Sequence, residues 1–440
     1  MQTTIQSLDY EGRGVTRIDG KTIFVHNALP RETVRIQIKQ DKNTFAEADT
    51  IAIIQPSEYR REPACPYYGE CGGCALQHVE FSAQVSMKQR VFEEQLQRIG
   101  KVFPEQILPP IYGAAWHYRS RTRLSIFIDK QDVVQIGYQA KRSKRIVPIS
   151  QCAILPAHVS GSLKTIRAGL QNIHAAAPKI RLQSVEISVG EQVSVLNIIS
   201  DKKLPENVLI EFSGCLNKIT ANQSAAPIWQ IWQQIGTRAA EPIAPKTAPT
   251  LNYRLPEFAL NMPFRAGDFT QINLPMNEVM VSRAIRLLQP QVHERIADLF
   301  CGLGNFTLPI ARSGAKVVGI EGADFLTRRA MQNAQANGLT NIQFSTADLF
   351  ATTPQIVEQL GYFDKILLDP PRAGAYALVQ ALHAPYLPKR IVYVSCNPAT
   401  FARDAAVLVG KGYRFSAAGV MNLFPHTAHV EAMAVFDLAS

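Results

Sequence analysis

Cys396 is the residue from which a reaction can be built. It stands in VYVSCNPATFARD, residues 392–404, where an apolar run containing Val392 and Val394 stops. Asn397 and Pro398 follow, a good helix cap and a good first helical residue. A thiol at a strand-to-helix handover meets free backbone N–H groups and the positive end of a helix dipole, and both favour the thiolate. Free cysteine is also a common core residue, so its neighbours decide the reading. DPPRAG, residues 369–374, ends another apolar run. Its two prolines remove backbone donors and stiffen the loop, which leaves Asp369 facing a cleft. HTAHVE brings in His426, His429 and Glu431. Two histidines without a third partner at ligand spacing do not make a metal site.

A ligand loop lies upstream. In DLFCGLGNFTLPIA, residues 298–311, Gly302 and Gly304 allow a tight turn and close approach to a ligand, although Phe306 and Thr307 break the full G-x-G-x-x-G pattern. Glu321 ends the next apolar run, where a carboxylate suits a ribose diol. With no second phosphate-binding feature, S-adenosylmethionine fits as well as a dinucleotide. Thiol, loop and carboxylates together suggest one chemistry. C5 of uracil is too weak a nucleophile to take a methyl group directly. A thiolate adding to C6 makes the ring an enolate with charge at C5. A base must afterwards remove the C5 proton so that sulfur can leave. Glu431 is the candidate base, and Asp369 could orient the uracil edge.

Three cysteines cluster as Cys65-x5-Cys71-x2-Cys74, interleaved with Gly69, Gly72 and Gly73. In a reducing compartment such a cluster points to metal or redox chemistry. Spacing allows structural zinc or a cubane iron–sulfur cluster, with Cys152 or Cys215 as the fourth ligand. Basic residues follow: Arg119, Arg121 and Arg123 at period two in HYRSRTRLS, then Lys141, Arg142, Lys144 and Arg145 in QAKRSKRIV. They suggest a groove in which phosphate contacts set the register of an RNA.

These residues need elements to position them. The chain has 440 residues, 46% hydrophobic and 19% charged, enough for two or three domains. Its net charge of +10 favours a polyanionic partner. No apolar run approaches a membrane span, and the opening MQTTIQSLDYEGRG lacks an apolar signal core, so a cytoplasmic protein is expected. Residues 1–60 read as a five-stranded β unit of the OB type, with Val34, Ile36 and Ile38 alternating. A helix follows the cysteines, with Phe81, Val85, Phe92, Leu96 and Ile99 as its apolar stripe and Gly100 as its stop. Residues 110–260 alternate more like strands, and AAEPIAPKTAPTLNYRLP reads as a linker or long connection. From about 265, RIADLF, AKVVGIE, NIQFSTAD, FDKILLDP and RIVYVSC are short strands between helical segments, the pattern of a doubly wound parallel sheet. HTAHVEAMAVFDL is expected as an edge strand.

Taken together, CPYYGECGGC, GDFTQIN, DLFCGLGNF, DPPRAG, SCNP and HTAHVE resemble the RNA (uracil-C5)-methyltransferase family over nearly the whole chain. The N-terminal barrel plus the cysteine cluster resembles the branch that modifies 23S ribosomal RNA. The resemblance implies an α/β plus β protein. Residues 1–60 would be a TRAM-like OB barrel, 61–265 a central mixed α+β RNA-binding domain carrying the cluster, and 266–440 a Rossmann-like S-adenosylmethionine methyltransferase domain. It implies Cys396 as nucleophile, Glu431 as base, and cofactor contacts at Gln271, Phe300, Asn305, Glu321, Asp348 and Asp369. It implies a [4Fe–4S] cluster on Cys65, Cys71, Cys74 and Cys152, and Phe269 as the aromatic that supports the target base. Arg119, Arg121, Arg123, Arg142 and Arg145 are the expected RNA contacts. A monomer with no obligate protein partner and no membrane is expected. The alternatives are a tRNA uracil-C5 methyltransferase, an amino-group methyltransferase that would need no cysteine, and a non-catalytic RNA-binding protein with a relict methyltransferase fold. A cytosine-C5 enzyme would want a second cysteine in the Pro-Pro loop, and DPPRAG has none.

Overall fold

The computed structural model describes residues 1–220 and 227–439. The first unit is a six-stranded sheet in the order Gln2–Thr4, Thr33–Asp41, Phe45–Gln55, Lys21–His26, Gly14–Ile18, Ser7–Leu8. Alternation builds it: Val34 and Ile36 point into a small core with Ile5, Ile23, Val25 and Ala48, while Arg35 and Gln37 face out. The sixth strand, beyond the five expected, is only two residues long and leaves no periodic signal. Thr3 and Thr16 hydroxyls meet at 2.7 Å and curl the sheet's first strand toward Gly14–Ile18.

The second unit is a seven-stranded sheet in the order Ile146–Pro148, Val134–Gln139, Arg121–Ile128, Leu182–Val189, Val193–Ser200, Ile228–Ile235, Glu241–Ala244. Alternate residues such as Leu124, Ile126, Val185, Ile187 and Leu196 turn one face to the helix Ala157–Ala176, which buries Leu163, Ile166 and Leu170 against them. The proline-rich stretch is more than a linker. It supplies the edge strand Glu241–Ala244 and half of the hairpin Asn252–Leu255/Leu260–Pro263, whose Tyr253, Leu255 and Met262 join the main core.

The third unit carries the sheet expected from residue 265 onward. Its order is Ile342–Thr346, Lys316–Glu321, Arg295–Leu299, Lys365–Leu368, Arg390–Ser395, Glu431–Leu438, Tyr413–Asn422. The first five strands are parallel, and helices cover both faces over two separate cores. The last strand is not an edge, contrary to expectation. Glu431–Leu438 is inserted antiparallel between Arg390–Ser395 and Tyr413–Asn422. Its residues 431–436 are all buried, without alternation, as a strand covered on both faces requires. The outer edge is extended by Gln106–Ile107 and Ile111–Tyr112 from the central segment.

The helix Phe81–Gln95 docks on this sheet through Phe92, whose ring lies 5.5 Å from Phe401. Ile99 does not continue the stripe; it is 46% exposed, because the helix widens into a π turn at Leu96–Gly100. Gly100 is not the left-handed stop either, since Lys101 takes that conformation at φ 52°. Gly100 is needed for packing, because a Cβ there would stand 2.5 Å from the Ala402 carbonyl oxygen. Among the described residues no helix is long and apolar enough to cross a membrane. Phe92→Ala should cost about 3–5 kcal/mol, read as a lower denaturant midpoint; a loss below about 1 kcal/mol would mean that the helix docks without that ring.

Candidate active site

Strand register assembles the reactive groups. Ser395 pairs with Ala432, so the next step of the antiparallel ladder sets Glu431 opposite Cys396. Lys365–Leu368, which ends at Asp369, is the parallel neighbour on the other side. Asn397 Oδ1 accepts from Ala399 N at 3.1 Å, capping the helix Pro398–Gly410, and its Nδ2 donates to the Arg372 carbonyl at 3.0 Å. That second bond ties the DPPRAG loop to the cysteine turn. Cys396, Asp369, Arg372 and Glu431 line one cleft.

The electrostatics differ from the expectation of a thiolate. Burial, then the charges of Glu431 and Asp369, push the Cys396 thiol up to about 12, with Arg372 pulling the other way. Burial, with the two carboxylates, outweighs the helix terminus. Burial raises Asp369 and Glu431 as well, and Asp369 adds to the rise at Glu431. The trio therefore holds protons when alone and suits a cationic ligand. Asp298 adds a fourth acid: it is fully buried and lifted by burial to about 7. Its Oδ2 accepts from Thr307 Oγ1 at 2.5 Å, and its Oδ1 has no hydrogen-bond partner among the described residues.

The cofactor half begins where Arg295–Leu299 ends. Phe300 is held at φ 67°, an uncommon conformation for a bulky residue, and its ring meets Phe350 at 5.5 Å. A Cβ on Gly302 would meet nothing within 4 Å, so this side of the turn faces open cleft. Glu321 accepts from Gly302 N and Ala323 N, each at 3.0 Å. Asp348 Oδ1 accepts from Phe350 N at 2.9 Å. Asn305 is pinned by Tyr253 Oη at 2.8 Å and by reciprocal amide bonds with Asn277 at 2.8 and 3.0 Å. Gln271, Phe300, Asn305, Glu321, Asp348 and Asp369 all line the same cleft. Phe350 and Tyr253 escaped the sequence reading; an exposed aromatic two residues after Asp348 was the only local signal. Open glycine face, exposed aromatics and buried acids fit a cation with a ribose diol, as S-adenosylmethionine is.

Phe269 is 61% exposed at the cleft rather than packed in the core. Arg119, Arg123 and Arg142 line the cleft, together with Tyr10, Arg13 and Asn27 of the first unit. Arg121 turns inward, to Glu186 Oε1 at 2.7 Å and the Asp268 carbonyl at 3.0 Å. Arg142 reaches Asp49 at 3.0 Å and Arg145 reaches Glu70 at 3.4 Å, both at the surface. The cleft holds about 1960 Å³. Small-molecule pockets hold roughly 300–1,000 Å³, so there is room for a nucleotide of a polymer beside a cofactor.

Cys65, Cys71, Cys74 and Cys152 line one small apolar cavity with Tyr68 and Tyr138. Burial pushes Cys74 up to about 12 and also raises Cys71 and Cys152. Gly73 N donates to Cys71 Sγ at 3.4 Å. Cys215, the other candidate ligand, is exposed on the helix Glu206–Thr220. Among the described residues no group of three or more His, Cys, Asp or Glu is spaced to hold a metal ion. The donor set, four thiols facing one apolar cavity, has the chemistry of a soft-metal site.

The carboxyl pair generates a prediction. Glu431 keeps its proton in the fold while the unfolded chain ionises above the ordinary carboxylate range, so folding loses stability as pH rises through that window. Glu431→Gln should raise the thermal midpoint by a few degrees at pH 8 and by less at pH 5. Scanning calorimetry at both pH values checks this; equal shifts, or a lower midpoint at pH 8, would contradict it.

Comparison with known proteins gives the family. The family model described as tRNA (Uracil-5-)-methyltransferase matches residues 82–437, and that of the TRAM domain matches residues 2–51. The chain is 51% identical over 437 residues to the 23S rRNA (uracil(1939)-C(5))-methyltransferase RlmD of Neisseria lactamica, covering 99% of this chain and 95% of the relative. It is 50% identical over 440 residues to the RlmD of Dechloromonas aromatica, covering 99% of each. The crystal structure of Pyrococcus abyssi tRNA (uracil-54, C5)-methyltransferase with S-adenosyl-L-homocysteine superposes with a TM-score of 0.74 at 23% identity, covering 99% of both chains, and shows the same fold. With a matching family model over most of its length and full-length relatives at half identity, the chain belongs to the RNA uracil-C5 methyltransferase family.

Proposed function

We propose that this enzyme methylates C5 of a uridine in 23S ribosomal RNA, at the position equivalent to the uracil 1939 named in its relatives. S-adenosylmethionine is its methyl donor, Cys396 its nucleophile and Glu431 its base. The observation that carries the reading is the cross-strand placement of Glu431 opposite Cys396, with Asp369 on the adjoining strand.

The chemistry follows from that arrangement. Asp369 orients the uracil edge. Cys396 gives up its proton to solvent and adds through sulfur to C6, and the C5–C6 π pair moves to C5. S-adenosylmethionine, when bound, offers a methyl group on a sulfonium. C5 would bond to that methyl with its pair as the sulfur–methyl bond breaks and leaves its own pair on sulfur, so that C5 carries both methyl and hydrogen and the donor departs as a neutral thioether. Glu431, as a carboxylate, takes the C5 proton; the C–H pair re-forms C5=C6, and the C6–S bond breaks with its electrons returning to Cys396.

Phe300 and Phe350 would flank the adenine, Glu321 would hold the ribose, and Gln271, Asn305 and Asp348 would complete the cofactor site. Phe269 supports the target base, which must leave its stack to expose C6. Arg119, Arg123 and Arg142 follow the RNA backbone with Arg145. Arg121, committed to Glu186, shapes the groove from behind instead. Cys65, Cys71, Cys74 and Cys152 hold a [4Fe–4S] cluster with a structural or RNA-positioning role, since methyl transfer needs no electron. The chain is read as three domains, 1–60, 61–265 and 266–440, and the protein acts as a cytoplasmic monomer.

Transfer of labelled methyl to a 23S transcript tests the reading. Wild type should label a single uridine and Cys396→Ala none; activity retained by Cys396→Ala, or labelling of tRNA in place of 23S RNA, would overturn it. Protein purified without oxygen should be brown and carry about four iron and four sulfide per chain; a colourless, zinc-loaded protein would refute the iron assignment.

A further inference from the structure

Residues 423–430, LFPHTAHV, connect Tyr413–Asn422 to Glu431. Within itself this segment makes a turn, in which the Phe424 carbonyl accepts from Thr427 N at 3.2 Å and from Thr427 Oγ1 at 2.9 Å. It is not paired as a strand, and His426 is at φ 64°, which a residue with a Cβ seldom adopts. Its backbone is also held from outside the sheet. The Leu423 carbonyl accepts from Asn273 Nδ2 at 2.9 Å, and the Phe424 carbonyl from Lys88 Nζ at 2.9 Å. The Pro425 carbonyl accepts from Tyr118 Oη at 2.8 Å. The His426 carbonyl accepts from Ala75 N and Leu76 N, at 2.8 and 2.9 Å. Four consecutive carbonyls are thus taken by donors from four separate segments, and three of these segments lie earlier than residue 120.

Two side chains stand out. Gln84 accepts from His426 N at 2.9 Å, and its Nε2 lies 3.1 Å from His426 Nδ1, while Trp116 stacks on the same ring at 3.8 Å. Lys88 is buried, and its ammonium goes to two neutral oxygens, Phe424 O and Asn422 Oδ1, the latter at 2.7 Å. A buried cation on neutral acceptors is costly to keep. That cost, together with the left-handed His426, marks the segment as held for a purpose.

Resting on the reading of Glu431 as the base, we propose that Gln84, Lys88 and Tyr118 are positioning residues for proton removal. Together with the backbone of Ala75 and Leu76, which directly follow Cys74, they clamp residues 423–426 and thereby aim Glu431 at C5 of the adduct. The clamp acts on the release step. It does not act on cofactor binding or on addition of Cys396, whose strand is also held by Lys365–Leu368 on its other side and whose turn is tied by Asn397 to the Arg372 carbonyl.

The test uses Lys88→Met, Gln84→Leu and Tyr118→Phe in the full-length protein. In single turnover with a 23S transcript, each variant should bind S-adenosylmethionine within twofold of wild type and form the protein–RNA adduct. That adduct should persist at least tenfold longer on a denaturing gel, as it should in Glu431→Gln. Adduct decay at the wild-type rate overturns the proposal, and so does loss of adduct formation with cofactor binding intact. Tyr118→Phe deletes one oxygen and decides the matter alone if the other variants do not fold. Amide hydrogen exchange over residues 423–431 separates the clamp from the base reading. Faster exchange in the three variants supports the clamp, and unchanged exchange overturns it. Normal adduct decay in Glu431→Gln would instead defeat the assignment of the base.

Discussion

The pairing of Arg390–Ser395 with Glu431–Leu438 is the constraint on which the site depends. One antiparallel strand, inserted beside five parallel ones, sets a thiol and a carboxyl group side by side, although they lie far apart in sequence. A parallel neighbour at that place would have sent its own carboxyl end toward the cleft, as Lys365–Leu368 does with Asp369. The antiparallel strand brings its first residue there instead, and that residue is Glu431. The arrangement costs stability, because two carboxyl groups share a buried corner with the thiol and are pushed by burial toward protonated forms that they would not keep in water. Such a corner is poorly suited to an empty protein and well suited to a bound cation and a covalent intermediate.

The remaining units serve that corner. The first sheet and the central sheet widen the cleft from a cofactor pocket to a groove, through Tyr10, Arg13 and Asn27 on one side and Arg119 and Arg123 on the other. The hairpin around Tyr253 reaches across to hold Asn305 in the cofactor loop. The helix Phe81–Gln95 packs on the catalytic sheet and also grips the segment before Glu431. The hairpin, the glycine loop and the segment before Glu431 are therefore linked into the fold by specific bonds, beyond mere adjacency.

Much of this could be read from the sequence, for local reasons. The parallel strands announce themselves as short apolar runs between helices, and Asn397-Pro398 marks its helix start. What failed to show was long-range. The apolar run 431–436 says that a strand is covered on both faces, but not which strands lie beside it, so it was mistaken for an edge. Spacing could not choose between Cys152 and Cys215, because the choice depends on which of them folds back over the cysteine loop. Period two put Arg121 with Arg119 and Arg123, but Glu186, on a neighbouring strand, draws it inward. Lys88 falls by spacing on the apolar stripe between Val85 and Phe92, but the oxygens that meet its side chain come from residues 422 and 424, far along the chain.

The central claim is a transient bond between the Cys396 sulfur and C6 of the target uracil. A 23S fragment with 5-fluorouridine at the target position tests it most directly, since fluorine at C5 cannot leave as a proton would. With S-adenosylmethionine present, the account predicts a stable protein–RNA conjugate whose modified peptide contains Cys396. Full methyl-transfer activity on natural RNA with no conjugate at Cys396 on the fluorinated one would contradict it.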